Sequence, residues 1–159
     1  MAESIELDEQ EGQALLAALD DEYKAHATYG QVILDFGPVR PFTNIVEAEA
    51  RHIAALVTLF ERYSVPVPPN PWRGKTPRYP SVDAACVAAV QAEIDNAALY
   101  DRLLASTRRP DILAVFQALR SASQDSHLAA FQRCAQRSAG GGGGGGRGAG
   151  GRMHGRGRA

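Results

Sequence analysis

The chain has 159 residues, enough for one domain with a substantial core. Its hydrophobic share of 45% is that of an ordinary soluble globular protein. A formal net charge of -1 advertises no nucleic-acid or acidic partner for the chain as a whole.

The opening residues, MAESIELDEQEG, have no basic stretch leading into an apolar one, so no secretory signal is expected. No run approaches eighteen apolar residues, so no transmembrane helix and no membrane partner is expected either. A cytoplasmic location is the resulting expectation.

The first element is predicted from about Asp8 to Phe36. Leu15, Leu19, Glu22, His26, Tyr29, Ile33 and Phe36 recur at three- and four-residue steps, a helical stripe. Asp8 followed three residues later by Glu11 is the pattern of a capping box, and Gly37-Pro38 stops the helix. The second helix is predicted over about Phe42 to Ser64, entered at Pro41, with Ile45, Glu49, His52, Leu56, Leu59/Phe60 and Tyr63 on one face. The short link between them makes them antiparallel neighbours.

Residues 65–80, VPVPPNPWRGKTPRYP, include six prolines and cannot be helical. Extended at about 3.1 Å per residue, they can span roughly 50 Å, more than a bundle's length. Trp72 is placed to pin this crossing to the helices. The third helix begins after Ser81, a good N-cap, and runs to about Ser106 with Cys86, Val90, Glu93, Ala97, Tyr100 and Leu104 on its face. The fourth opens at Pro110 and ends near Arg137. Leu113, Phe116, Arg120, Ser123/Gln124, His127, Phe131 and Cys134 follow one side. The fold class is therefore all-α, a four-helix bundle over residues 1–138 with one long Pro-rich crossover between helices two and three. Residues 139–159 form a Gly/Arg-rich tail with no means of packing a core, expected to be disordered.

Charge follows this division. The tail carries Arg147, Arg152, Arg156 and Arg158 and no acid. Taking those four from the 17 bases leaves 13 against 18 acids, so the bundle is at about -5. The tail is read as a solubilising extension, with contact to nucleic acid or an anionic surface as the alternative. It has no aromatic residue for base stacking.

Three helices place a glutamate on the apolar stripe: Glu22, Glu49 and Glu93. A buried carboxylate is costly unless it is paired or bound to a metal. Two helices put a histidine on the same face, His52 and His127, and Glu49-Ala50-Arg51-His52 is a Glu-x-x-His whose two side chains share one helix face. Counted from the two short turns, the members of each pair of helices agree in depth within roughly 8 Å at 1.5 Å per residue. Carboxylates and imidazoles without thiolates suit iron or manganese. One or two ions are compatible, with Glu22 capping one, Glu93 the other and Glu49 between them.

Glu22 in DEYKAHATY, Glu49 and His52 in EAEARH, Glu93 in QAEIDNAALY and His127 in SASQDSHLAAF resemble the ligand pattern of ferritin-like di-iron carboxylate proteins. The stretch from about Leu15 to Cys134 also resembles an uncharacterised bacterial and archaeal ferritin-like family. The residues that carry this likeness are DEYKA-ATY, FGPVRPF-NI-EAE-RHI-AL, the FERY-VPVPPN crossing and HL-AFQRC. The resemblance implies a ferritin-like bundle and a di-iron ligand set. One position departs from it. Gln124 stands three residues before His127, where the pattern has a second Glu-x-x-His, so three carboxylates replace four. Asp125 and His26 lie a rotation away from the ideal face.

There are two cysteines and no Cys-x-x-Cys, which argues against a zinc finger, a rubredoxin-type site and a disulfide framework. Cys86 lies seven residues before Glu93 and Cys134 seven after His127, so both are displaced the same way from the ligand layer, about 10 Å. Two readings are open: small buried hydrophobes, or a facing dithiol that forms a disulfide and supplies electrons. Tyr29 and Tyr100, each a heptad from a glutamate, read as core tyrosines. The expected function is a metal-binding, ferritin-like protein that oxidises Fe(II) with O₂ or peroxide. The alternative is a non-catalytic bundle that binds a partner. Whether the chain is an enzyme and whether it is a monomer or a dimer are questions the sequence does not decide.

Overall fold

The structure is a computed structural model that describes residues 6–140. The tail assigned to residues 139–159 lies outside the described residues, except that 139 and 140 close the last helix.

The described residues form four helical rods and no strand. The first, α1 (Glu9–Phe36), starts on a complete capping box. The Asp8 carboxylate accepts from the Glu11 amide at 2.7 Å, and the Glu11 carboxylate from the Asp8 amide at 3.3 Å. It ends at Gly37, whose φ of 87° lies in the left-handed region that glycine enters freely. After a short turn, α2 (Phe42–Arg62) runs back beside it. The next helix, α3 (Val82–Leu103), begins where the Ser81 hydroxyl accepts from the Ala84 amide, and tightens into a 3₁₀ turn at Leu104–Ser106. The fourth rod is compound. An α-helix, α4 (Pro110–Ser121), passes through a π-helical turn (Ala122–His127) into α5 (Leu128–Gly140).

The crossing between α2 and α3 is extended and tied along α1. The Tyr23 hydroxyl donates to the Pro68 carbonyl at 2.8 Å, and Trp72 Nε1 donates to Asp20 at 2.9 Å. The Lys24 ammonium sits 5.2 Å above the Trp72 ring, a cation–π contact. Further on, Arg78 pairs with Asp35 through two nitrogens. The crossing thus carries the chain from the Asp20 level of α1 to its Asp35 end. α3 therefore starts beside the start of α2 and runs the same way. A short connection in its place would have forced the opposite direction.

Two apolar clusters fill the bundle. One, at the α1 N-terminal end, centres on Leu15, Leu19, Leu56, Phe60, Tyr100 and Phe116. The other, toward the opposite end, contains Tyr29, Phe42, Ile45, Cys86, Phe131 and Cys134. Burying a side chain of this size is worth about 1.5–3 kcal/mol, so these clusters supply the main stabilisation. Cys86 and Cys134 are joined in a disulfide with Cα atoms 5.9 Å apart. The pairing resolves the two readings of these cysteines in favour of facing partners. It links α3 to α5 and closes 48 residues of chain, for which the entropic stabilisation is about 4 kcal/mol. Between the two clusters lies a polar layer.

Candidate metal centre

The polar layer is made by all four rods. Glu22 comes from α1, Glu49 and His52 from α2, Glu93 from α3, and His127 from the end of the π turn. The three carboxylates are nearly sealed from solvent, at 1%, 2% and 2% exposure. They fall into two triads that share one residue: Glu22, Glu49 and His52, and Glu49, Glu93 and His127.

The geometry is close to a two-fold repeat. His52 Nδ1 lies 3.4 Å from Glu22 Oε2 and 3.2 Å from Glu49 Oε2. His127 Nδ1 lies 3.3 Å from the other oxygen of Glu49 and 3.6 Å from Glu93 Oε2. The two imidazoles stack, with centroids 5.5 Å apart. Each tyrosine hydroxyl reaches across to the glutamate of the other helix pair. Tyr29 of α1 donates to Glu93 at 2.7 Å, and Tyr100 of α3 donates to Glu22 at 2.7 Å. These bonds orient each terminal carboxylate and leave its second oxygen facing its imidazole.

Electrostatics single out this layer. Among the described residues, the only ion-pair partners of the three carboxylates are the two histidines. Burial, and then the neighbouring Glu49 charge, push the Glu22 carboxyl up to about 8, so it holds a proton at neutral pH. Burial also opposes charge on Glu49, yet the Glu22 carboxyl and the imidazoles of His127 and His52 beside it hold it below its ordinary value. Burial works against a charged imidazole at His52, but the bonds to Glu22 and Glu49 outweigh it and raise the group to about 10. The same balance, with Glu49 and Glu93 as partners, raises His127 to about 9. Without a cation, protons neutralise the layer.

Two atoms of the layer remain unsatisfied: Glu93 Oε2 and His127 Nδ1 are buried and have no hydrogen-bond partner. They face each other at 3.6 Å. A buried polar atom left unpaired costs about 1–3 kcal/mol. Separations of 3.2–3.6 Å are those of neighbouring donor atoms around one ion at roughly 2.1 Å. The donor set therefore fits a divalent cation in each triad. Glu11 shows what a buried glutamate with no such need looks like. It is 6% exposed, but Thr107 and Arg109 bind its carboxylate.

The fourth rod corrects a detail of the sequence reading. Gln124 is exposed, and so is Asp125; His26 is half-buried and belongs to neither triad. The inward residue one turn before His127 is Ser123, 2% exposed. The cause is the π turn: the Leu128 amide donates to the Ser123 carbonyl five residues back, so residues four apart share a face. Ser123 donates to Asn96 Oδ1, and Asn96 donates to Asp21. This Asp21–Asn96–Ser123 chain was missed, although Asn96, three residues after Glu93, carries the right spacing; the expected stripe has Ala97 there instead. A cavity of about 270 Å³ opens between α1 and α3, under Pro77 and Tyr79 of the crossing. Its wall includes Asp21 and Asn96, and it reaches Glu49 and Glu93. A wider depression of about 530 Å³ at the end of the bundle, around Thr107 and Arg109, touches no member of the layer.

No family model and no curated protein matches this chain. Among solved structures, it is similar to the hypothetical protein MJ0754 from Methanococcus jannaschii DSM 2661. The superposition has a TM-score of 0.75 at 21% identity and covers 87% of this chain and 86% of that one. At that identity the likeness concerns the fold. Among the described residues, no helix is long and apolar enough to cross a membrane.

Proposed function

We propose that this chain is a ferritin-like metal protein that binds one or two iron or manganese ions and uses them in redox reactions with peroxide or O₂. Glu22 and His52 would hold one ion and Glu93 and His127 the other, and Glu49, a member of both triads, would serve each. The observation that carries the reading is the pair of triads sharing Glu49, in which Glu93 Oε2 and His127 Nδ1 are buried without any other partner. Carboxylate and imidazole donors with no thiolate favour iron or manganese. Connectivity supports the ferritin-like assignment: short, long and short links, with the site inside the bundle.

Ions of this kind, when bound, exchange electrons with small oxidants. The protein's part is to seal the layer from bulk water, fix the carboxylates through the Tyr29 and Tyr100 hydroxyls, and admit only small molecules through the α1–α3 cavity. The Asp21–Asn96–Ser123 chain provides polar groups between that cavity and the π turn.

A second reading also has a specific observation behind it. Histidine–carboxylate and tyrosine–carboxylate bonds already engage most of the layer with no cation, as in a buried polar network of a purely structural bundle. Metal analysis of the purified protein separates the two, followed by thermal melts with and without Fe(II) or Mn(II). The metal reading expects bound ion and a melting temperature that climbs with ion concentration. A protein that stays metal-free and gains no stability is a structural bundle.

A further inference from the structure

We propose that Cys86 and Cys134 are the electron source for this centre: as a dithiol they reduce peroxide there and end as the disulfide. The inference rests on the metal reading above. It starts from a chemical need. Reduction of a peroxide takes two electrons, and the carboxylates and imidazoles of the layer supply none. The chain has two cysteines, and both are in this link.

Their placement meets the need. Cys86 is seven residues from Glu93 on α3, and Cys134 seven from His127 on the fourth rod, about 10 Å along each helix. Both are displaced in the same direction, because the two rods are antiparallel. The side chains between are buried: Ala89 is 3% exposed, Tyr29 2% and Phe131 0%. Tyr29 spans it. Its ring lies 5.1 Å from that of Phe131, inside the cluster that holds the disulfide, and its hydroxyl is bonded to Glu93. A cross-link serving only as a staple could sit anywhere along the α3–α5 seam. This one ends a heptad from two ligands and shares a packed cluster with a residue that touches one of them.

The step balances as two thiols plus hydrogen peroxide giving one disulfide and two waters. Two S–H bonds and the O–O bond break, and the S–S bond forms. The sulfurs lose two electrons, the peroxide oxygens gain them, and the thiol protons leave in the waters. Ions held by the two triads would take up the electrons at the layer and pass them to the peroxide there, and the side chains between the layer and the cysteines are those of Tyr29 and Phe131. An external dithiol restores the pair; Cys134 is 5% exposed and Cys86 0%, so the reductant reaches the link from the Cys134 side.

The test uses the full chain. It is reduced with dithiothreitol, desalted without oxygen, and either loaded with Fe(II) or stripped with chelator. One equivalent of hydrogen peroxide is added, and the thiols of Cys86 and Cys134 are counted over time by alkylation and mass spectrometry. The expected result is one disulfide per peroxide, formed at least ~10-fold faster in loaded than in stripped protein. Glu93→Gln is expected to slow it by roughly tenfold or more. Equal rates with and without metal would overturn the proposal, as would thiols that survive while peroxide is consumed. So would a disulfide that resists dithiothreitol in the folded protein. Metal content is measured on the same samples. A protein that holds its ion but shows no faster thiol oxidation refutes the electron-source role alone; one that holds no ion refutes the metal reading with it.

Discussion

Glu49 differs from Glu22 and Glu93 in offering one oxygen to each triad. That difference makes a distinct pattern of substitution effects. Glu22→Gln and Glu93→Gln are each expected to lower the bound manganese or iron to about half, and Glu49→Gln to remove nearly all of it. Elemental analysis after dialysis reads this directly, and equal retention by all three variants would remove the shared-ligand arrangement. Glu22→Gln carries a second expectation. Its carboxyl must take up a proton to fold into the metal-free layer at neutral pH, a cost the neutral amide does not carry, so the melting point of the stripped protein should rise rather than fall. At this scale the acids and histidines were legible, because a charged residue on an apolar stripe violates the helical pattern. The tyrosines were not: Tyr29 and Tyr100 fit a core, and only their hydroxyls' partners across the bundle show a further role.

Among the elements, the π turn has the most consequence. Buried positions along the fourth rod run Leu119, Ser123, His127, Phe131, three successive steps of four. A regular α-helix would rotate steadily out of the core over that distance. The wider turn at Ala122–His127 takes up the excess and keeps both His127 and Phe131 inward. Deleting Gln124, an exposed residue, would restore regular spacing between Ser123 and His127. The expected outcome is a folded protein with unchanged helix content by circular dichroism but metal affinity lower by roughly tenfold or more. Full affinity after the deletion would mean that the turn does not position His127. Sequence spacing could not reveal this turn, since Gln124 at three residues and Ser123 at four both fit an α-helical face. The caps were readable for the opposite reason. Asp8 with Glu11, and Ser81, act on neighbours three residues away, and all three bonds are present.

At the level of the whole molecule, the layer couples stability to pH. In metal-free protein His52 and His127 rise from 6.5 to about 10 and about 9, and Glu22 rises from 4.5 to about 8. All three bind protons more tightly folded than unfolded. Their contribution is fully present below the unfolded values and is lost as pH climbs through the folded ones. Glu49 has the opposite sign and loses its contribution as pH falls below its ordinary range. The melting temperature of stripped protein should therefore decline between about pH 6.5 and pH 10. With Mn(II) bound, the cation replaces those protons, and the decline should flatten or reverse. Parallel melts at pH 6 and pH 9 with chelator or Mn(II) test this. An identical slope in both conditions would detach the ion from these groups.

Periodicity and local chemistry by themselves determined the four helices, their caps and the long crossing. They also determined that five residues fall at one depth. Each of those features depends on neighbours within a turn or on chain length between turns, and both are written in one dimension. Tertiary structure decided the rest. The direction of α3 follows from the ties between the crossing and α1, and the disulfide from the approach of two rods 48 residues apart. Likewise, the sharing of Glu49 and the cross-bundle tyrosine bonds exist only when opposite helices face one another. Exposure of Gln124 in favour of Ser123 depends on a hydrogen bond from Leu128 reaching five residues back, a choice made by packing Phe131 and Cys134 against α3.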